Sequence, residues 1–118
     1  MAAPILFSLL VLISASARAA GGLPDRDRAL IEALLAGVKS SSYKFIRKDQ
    51  TFDAKTAAWY LRFRWDQNRA KIESVQDFID LVSVGGEHGE ITYYVEFPDA
   101  VRKPAREVLD EALARLAK

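Results

Sequence analysis

Apolar residues recur along this chain at two spacings, which predict four helices and two strands. Spacings of three and four residues predict amphipathic helices over residues 25–38, 53–68, 74–84 and 104–116. β-Branched and aromatic residues predict a strand over 43–47, and alternation of apolar residues predicts another over 91–97. The predicted order of elements is therefore α-β-α-α-β-α.

Polar residues and glycines at the boundaries support these elements. Asp53 is placed to cap the second helix, and residues 48–50 are typical of a polar turn before it. Ser74, followed three residues later by Asp77, forms an approximate capping box for the third helix. Gly85-Gly86 is expected to stop that helix, because glycine adopts the left-handed C-cap conformation at low cost.

This order predicts an α+β fold, with a small two-stranded antiparallel sheet packed with four helices after a signal peptide. A bare hairpin is marginally stable in water, so the helices are expected to cover one face of the sheet. Antiparallel pairing is favoured because it is the more common arrangement, although the long connection between the strands also permits a parallel crossover. Residues 20–118 are expected to form a single small domain.

The first residues differ from the rest of the chain. An almost unbroken apolar run, Pro4–Ile13, precedes small residues that contain the pattern A-x-A twice, at residues 15–19. The run is shorter than the ~20 residues that span a bilayer, so residues 1–19 are predicted to be a cleaved signal peptide of a periplasmic protein. The absence of Lys and Arg before the run is atypical of a signal peptide, and an uncleaved membrane anchor is the alternative.

Composition limits the classes of partner. The 118 residues include no cysteine, which excludes disulfides and a lipid-modified cysteine anchor. Cleavage after residue 19 removes Arg18, so that the 17 basic residues fall by one and equal the 16 acidic ones. A neutral mature chain has no overall basic field, and nucleic-acid binding is therefore not expected.

Three short motifs in the central part of the chain resemble a known family. They are F-I-R at 45–47, A-A-x-x-L-R-x-R at 57–64, and I-x-S-x-x-D-F-I-D at 72–80. In order and spacing they resemble the YfeK-like family of small exported bacterial proteins, a domain of unknown function. The resemblance implies an exported location and a small α+β domain, and it implies no reaction.

The chain departs from that family pattern at several positions. Tyr60 stands where the family has His, and Lys48-Asp49 replaces an Asn-Gly turn. Gly85-Gly86 stands where Ser-Ser is usual, and His88 where Thr is usual. A site that used those side chains in relatives would be incomplete in this protein.

Histidine and carboxylate chemistry has little support in the sequence. His88 is the only histidine, which excludes a multi-histidine metal site. With Glu87 and Glu90 it could hold a transition metal weakly, but a solvated loop side chain is the favoured interpretation. No catalytic residue, metal site or cofactor is therefore predicted.

Arginines and aromatic residues provide the candidate binding site. The planar guanidinium groups of Arg47 and Arg62 could bind a carboxylate or phosphate, or Arg62 could simply pair with Asp66 at i+4. Trp59 and Phe63 lie opposite the apolar stripe of their helix. Either the last helix covers them, or they form an exposed binding patch.

The favoured function is a non-enzymatic periplasmic binding or interaction module, whose partner is an unknown envelope protein or a small anionic ligand. The candidate binding residues are Arg47, Trp59, Tyr60, Arg62 and Phe63. The alternative is a small hydrolase or lyase acting on an anionic envelope component. In that hypothesis Arg47 and Arg62 hold the substrate, and Asp77 or Asp80 performs the chemistry.

Overall fold

The computed structural model describes residues 22–118. The predicted signal peptide, residues 1–19, lies outside the described residues. The helices within the described part are α1 (Asp25–Ser40), α2 (Ala54–Gln67), α3 (Val75–Val82) and α4 (Ala105–Leu116), with a 3-10 turn at Arg69–Lys71. The strands are β1 (Lys44–Arg47), β2 (Gln50–Phe52), β3 (Val84–Gly85), β4 (Ile91–Glu96) and β5 (Arg102–Pro104). Between residues 22 and 118, no helix has the length and apolar character needed to cross a membrane.

The five strands form one antiparallel sheet in the order β2-β1-β4, with β3 and β5 both paired to β4. The predicted α+β class, the four helices and the antiparallel pairing of β1 with β4 are confirmed. The prediction of a two-stranded sheet is wrong, and with it the predicted order of elements. The three missed strands are only two or three residues long, too short for an alternating pattern to appear in the sequence.

The β1–β2 hairpin has a two-residue turn. Arg47 pairs with Gln50 across it, so Lys48 and Asp49 alone reverse the chain. Lys48 has a φ of +55°, a conformation that suits the tight turns of twisted hairpins. The segment predicted to be only a turn therefore leads directly into an edge strand.

Helices α2 and α3 begin where the polar residues predict. The Asp53 carboxylate accepts a hydrogen bond from the Thr56 N–H at 2.8 Å, which caps α2. Ser74 Oγ accepts from the Asp77 N–H at 3.1 Å, which caps α3 as the capping box predicts. The first free N–H of α3, at Val75, donates instead to a carboxylate of α1, and this bond joins the two helices.

The core consists of the apolar stripes of the helices and one face of the sheet. The side chains with almost no exposure include Ile31, Trp65, Phe78, Ile79, Val82 and Val95. α1, α2, α3 and Leu109 of α4 contribute to one cluster, which Phe45 of β1 joins to a second cluster around Val95. Between α2 and the sheet, this core leaves open space.

Candidate functional site

A pocket of about 340 Å³ lies between α2 and the sheet. Buried apolar residues, such as Leu61, Val82 and Leu109, line its inner part. More exposed residues, such as Thr56 and Trp59, line its rim. A site of this size and apolar character falls within the usual range of small-molecule pockets, roughly 300–1,000 Å³.

The sheet side of the pocket comes from one face of three strands. Phe45 pairs with Phe52, and Arg47 pairs with Gln50 on one side and with Tyr93 on the other. Directly paired residues project from the same face of a sheet, so these five side chains share a face. All five line the pocket.

Arg47 is unusual among them, because it is the one charged side chain of the five. It is half-buried, and its Nε is enclosed without a hydrogen-bond acceptor among the described residues. Within residues 22–118, no carboxylate oxygen lies within 4.0 Å of its side-chain nitrogens. The fold thus places a guanidinium group at the pocket wall without supplying its counter-charge.

Two tyrosines complete the polar part of the pocket. Burial, followed by interaction with the Tyr93 hydroxyl, raises the pKa of Tyr60. The Tyr60 hydroxyl therefore stays protonated at neutral pH and serves as a hydrogen-bond donor or acceptor rather than as a base. The Tyr93 hydroxyl packs directly against Gly85 of β3, where a side chain would collide with it.

Trp59 and Phe63 form an exposed aromatic pair beside the pocket. Their rings are stacked at 5.5 Å between centroids and 5° between planes. Trp59 is 66% exposed and Phe63 42% exposed, so the interpretation in which the last helix covers them is wrong. Trp59 also lines the pocket rim, whereas Phe63 does not.

Arg62 lies elsewhere and has a partner. Its guanidinium forms a two-pronged ion pair with Glu32 of α1, with one contact of 3.2 Å between Nη1 and Oε2. The hydrogen bond from Arg62 is the main cause that lowers the pKa of Glu32. Asp66, the predicted i+4 partner of Arg62, pairs instead with Arg69 at 2.7 Å. The structure therefore brings together Arg47, Trp59 and Tyr60 but not Arg62.

The acids of the hydrolase hypothesis do not join this group. The Asp77 carboxylate accepts the Glu73 N–H at 3.0 Å, as part of the α3 cap. Asp80 forms an ion pair with Arg106 of α4. Neither acid lines the pocket with Arg47.

The loop between β3 and β4 is exposed. The Glu90 carboxylate accepts the backbone N–H of His88 at 3.0 Å, which organises the turn. Across residues 22–118, histidines and carboxylates form no cluster of three or more that could hold a metal ion.

The pocket residues that sequence reasoning missed include Gln50, Phe52, Thr56 and Tyr93. Gln50 belongs to a segment predicted as a turn, and Phe52 to a strand too short to recognise. Tyr93 lies within the strand predicted over 91–97, but its register opposite Arg47 has no signature in the sequence. The T-F pair after the polar turn was the one available signal of β2.

A second cavity, of about 380 Å³, lies between α1 and α4. Its lining is also largely apolar, and its arginine, Arg115, is exposed. No enclosed polar atom without a partner lines it within the described part of the chain. The pocket beside Arg47 is therefore the better candidate site.

Comparison with curated proteins and with solved structures finds no match to this chain. The YfeK-like resemblance stays a prediction. A family model matches residues 25–117, and thus every helix and strand described above. The chain belongs to the family that this model describes, a family of unknown function named DUF5329.

Proposed function

We propose that this protein is an exported, non-enzymatic binding module whose ligand occupies the pocket between α2 and the sheet. The observation that carries the proposal is the pocket itself, an apolar space of about 340 Å³ with Arg47 at its wall. Folded interiors are close-packed, and an empty apolar volume of this size costs stability, a cost that a bound ligand would offset.

The lining favours binding over chemistry. Its polar side chains are an arginine, a glutamine, a threonine and two tyrosines, and no histidine or carboxylate lines it among residues 22–118. These groups donate hydrogen bonds and fix orientation, but a general base is missing from the set. No observation on Asp77 or Asp80 favours the hydrolase or lyase alternative, because both are engaged outside the pocket.

The size of the pocket indicates the size of the ligand. A dry cavity of ~150 Å³ accepts benzene, so a pocket of about 340 Å³ accommodates an apolar body of roughly ten non-hydrogen atoms. At about 0.4 kcal/mol per atom, such a ligand reaches a dissociation constant of about a millimolar or tighter. Straight-chain octyl compounds have this size and are soluble enough to titrate.

Calorimetric titration of the purified protein with octanoate, octanamide and octylammonium tests this proposal. At least one of the three is expected to bind at one site. Thr56→Trp places a large ring at the rim and is expected to abolish that binding. Phe63→Ala, which removes an exposed ring beside the pocket, serves as the matched control and should retain it.

Two results would contradict the proposal. If none of the three compounds bound the wild-type protein, the pocket would not be a site for small apolar ligands. If Thr56→Trp bound normally and Phe63→Ala did not, the ligand would occupy the exposed aromatic pair instead.

The exported location is a separate part of the proposal and rests on the signal-peptide pattern. Expression of the full chain in a Gram-negative host, followed by fractionation, should place the protein in the periplasm. N-terminal sequencing should then begin near Ala20. A full-length chain in the membrane fraction would support the uncleaved anchor instead.

A further inference from the structure

We infer that the pocket selects an apolar monocarboxylate, whose carboxylate pairs with Arg47 while its hydrocarbon body fills the space under α2. This inference deepens the proposed function and rests on it. It assigns the chemical class of the ligand, which the volume of the pocket alone leaves open.

The first argument is that Arg47 lacks a partner, whereas Arg64, the other half-buried arginine of residues 22–118, has one. Two arginines of residues 22–118 are half-buried, Arg47 and Arg64. Arg64 donates from Nη1 to the Val84 carbonyl at 2.6 Å. Arg47 has an enclosed Nε with no acceptor. An enclosed donor without an acceptor is costly, and a ligand oxygen at this position removes that cost.

The second argument concerns the number of charges. Arg47 is the one cationic side chain that lines the pocket within the described residues. A planar guanidinium matches a carboxylate through two parallel hydrogen bonds, and one cation balances one anion. A second negative charge would have to face the apolar walls formed by residues such as Phe45 and Leu61, where an unpaired charge is strongly disfavoured.

The third argument is that neutral donors surround the cation. Tyr93 lies opposite Arg47 on the neighbouring strand, and Tyr60 lines the pocket from α2. A tyrosine hydroxyl is a neutral group that can donate one hydrogen bond to a ligand oxygen. Because no acidic side chain of residues 22–118 lines the pocket, the polar end favours an anion over an amine.

The octyl series tests this class at neutral pH, where octanoate is ionised. Octanoate is expected to bind at least tenfold more tightly than octanamide, a difference of about 1.4 kcal/mol, and octylammonium is expected to bind most weakly. Octyl phosphate should bind no better than octanoate. Arg47→Met should remove the preference for octanoate and leave the affinity for octanamide nearly unchanged.

Arg62→Met is the matched control, since it removes a guanidinium from the same region but outside the pocket. It should preserve both affinities. Arg47→Lys keeps the positive charge but loses the two parallel hydrogen bonds of the guanidinium, and it should retain part of the preference for octanoate. If Arg47→Met melted below the working temperature, the wild-type probe series and Arg47→Lys would still decide the question.

The outcomes separate this inference from the proposed function. Equal affinities for octanoate and octanamide would overturn the carboxylate class while leaving a binding pocket. Much tighter binding of octyl phosphate would assign a different class of anion and overturn the inference as well. Binding of none of the compounds would overturn both.

Discussion

The arginines on the two sides of helix α2 differ in whether they have a carboxylate partner. On the side that faces α1, Arg62 pairs with Glu32, and Arg69, just beyond the helix, pairs with Asp66. On the pocket side, Tyr60 and the rim residues of α2 face Arg47 of β1, for which the described part of the fold supplies no carboxylate. The arginines on the α1 side are thus paired within the protein, whereas the arginine on the pocket side is unpaired among the described residues.

The comparison teaches how to separate a structural arginine from a binding arginine. Arg47 and Arg62 both belong to motifs in the sequence, and neither motif distinguishes their roles. The distinction comes from a partner 30 residues away in the chain, Glu32, which only the packing of α1 on α2 brings to Arg62. An arginine with a partner stabilises the fold, and one without a partner is available to a ligand.

The largest expected contrast is between the two tryptophans of α2. Trp65 is 1% exposed, and the Arg69 Cζ lies 3.9 Å from its ring centroid. Trp65→Ala should reduce the free energy of unfolding by about 3–5 kcal/mol, because it removes a buried ring. Trp59→Ala should cost less than about 1 kcal/mol, because most of its ring is in solvent. Urea denaturation followed by circular dichroism measures both.

Trp65→Phe is the control for this contrast, since it keeps a buried ring and removes an indole N–H that has no partner in the described residues. It should be clearly less damaging than Trp65→Ala. A cost above about 2 kcal/mol for Trp59→Ala would mean that the rim of the pocket is part of the core. The two sides of α2 would then differ less than proposed.

An intermediate effect on stability and binding is expected at Gly85, which contacts the pocket residue Tyr93. A Cβ at Gly85 would lie 2.7 Å from the Tyr93 ring carbon Cζ, so the ring would have to move. Gly85→Ala should therefore cost about 1–3 kcal/mol and weaken octanoate binding, because Tyr93 leaves its place beside Arg47. Thermal unfolding and calorimetric titration measure the two effects.

Gly37 is the matched glycine for this prediction. It lies within α1, and a Cβ there would meet no atom within 4 Å. Gly37→Ala should stabilise the protein by up to about 1 kcal/mol, because alanine is the better helix former, and it should leave octanoate binding unchanged. Equal effects of the two substitutions would show that Tyr93 accommodates the added methyl group freely.

The sequence predicted the helices better than the pocket, for a physical reason. The stripe that includes Ala57, Leu61 and Trp65 repeats at the helical period, and the caps at Asp53 and Ser74 are local in sequence. Such signals involve residues within a few positions of one another. They therefore remain readable without the fold.

The pocket depends on contacts that no local pattern encodes. The position of Arg47 opposite Tyr93 depends on strand register. With only three residues, β2 is too short for an alternating pattern to predict it. Whether Trp59 is exposed depends on where α4 packs, which hydrophobic spacing within α2 does not determine. Arg47, Trp59 and Tyr60 could be identified as candidates, but their assembly into one pocket could not.

The smallest expected effect concerns the ion pair between Arg62 and Glu32 on the α1 side. Hydrogen bonding to Arg62 holds the pKa of Glu32 below its ordinary value of 4.5. The carboxylate therefore stabilises the fold above that value, and the contribution is lost as the pH falls through the lowered pKa of the folded state.

Both side chains are nearly half exposed, so solvent screening limits the contribution to at most about 1 kcal/mol. Glu32→Gln should thus destabilise the protein slightly at pH 7, and the difference from wild type should shrink as the pH falls below 4.5, in urea denaturation at low salt. Arg62→Met should abolish this difference, because the carboxylate then has no partner to lose. A pH dependence that survived Arg62→Met would show that Glu32 owes its stabilising role to another group, and Arg62 would then be as open to an anion as Arg47.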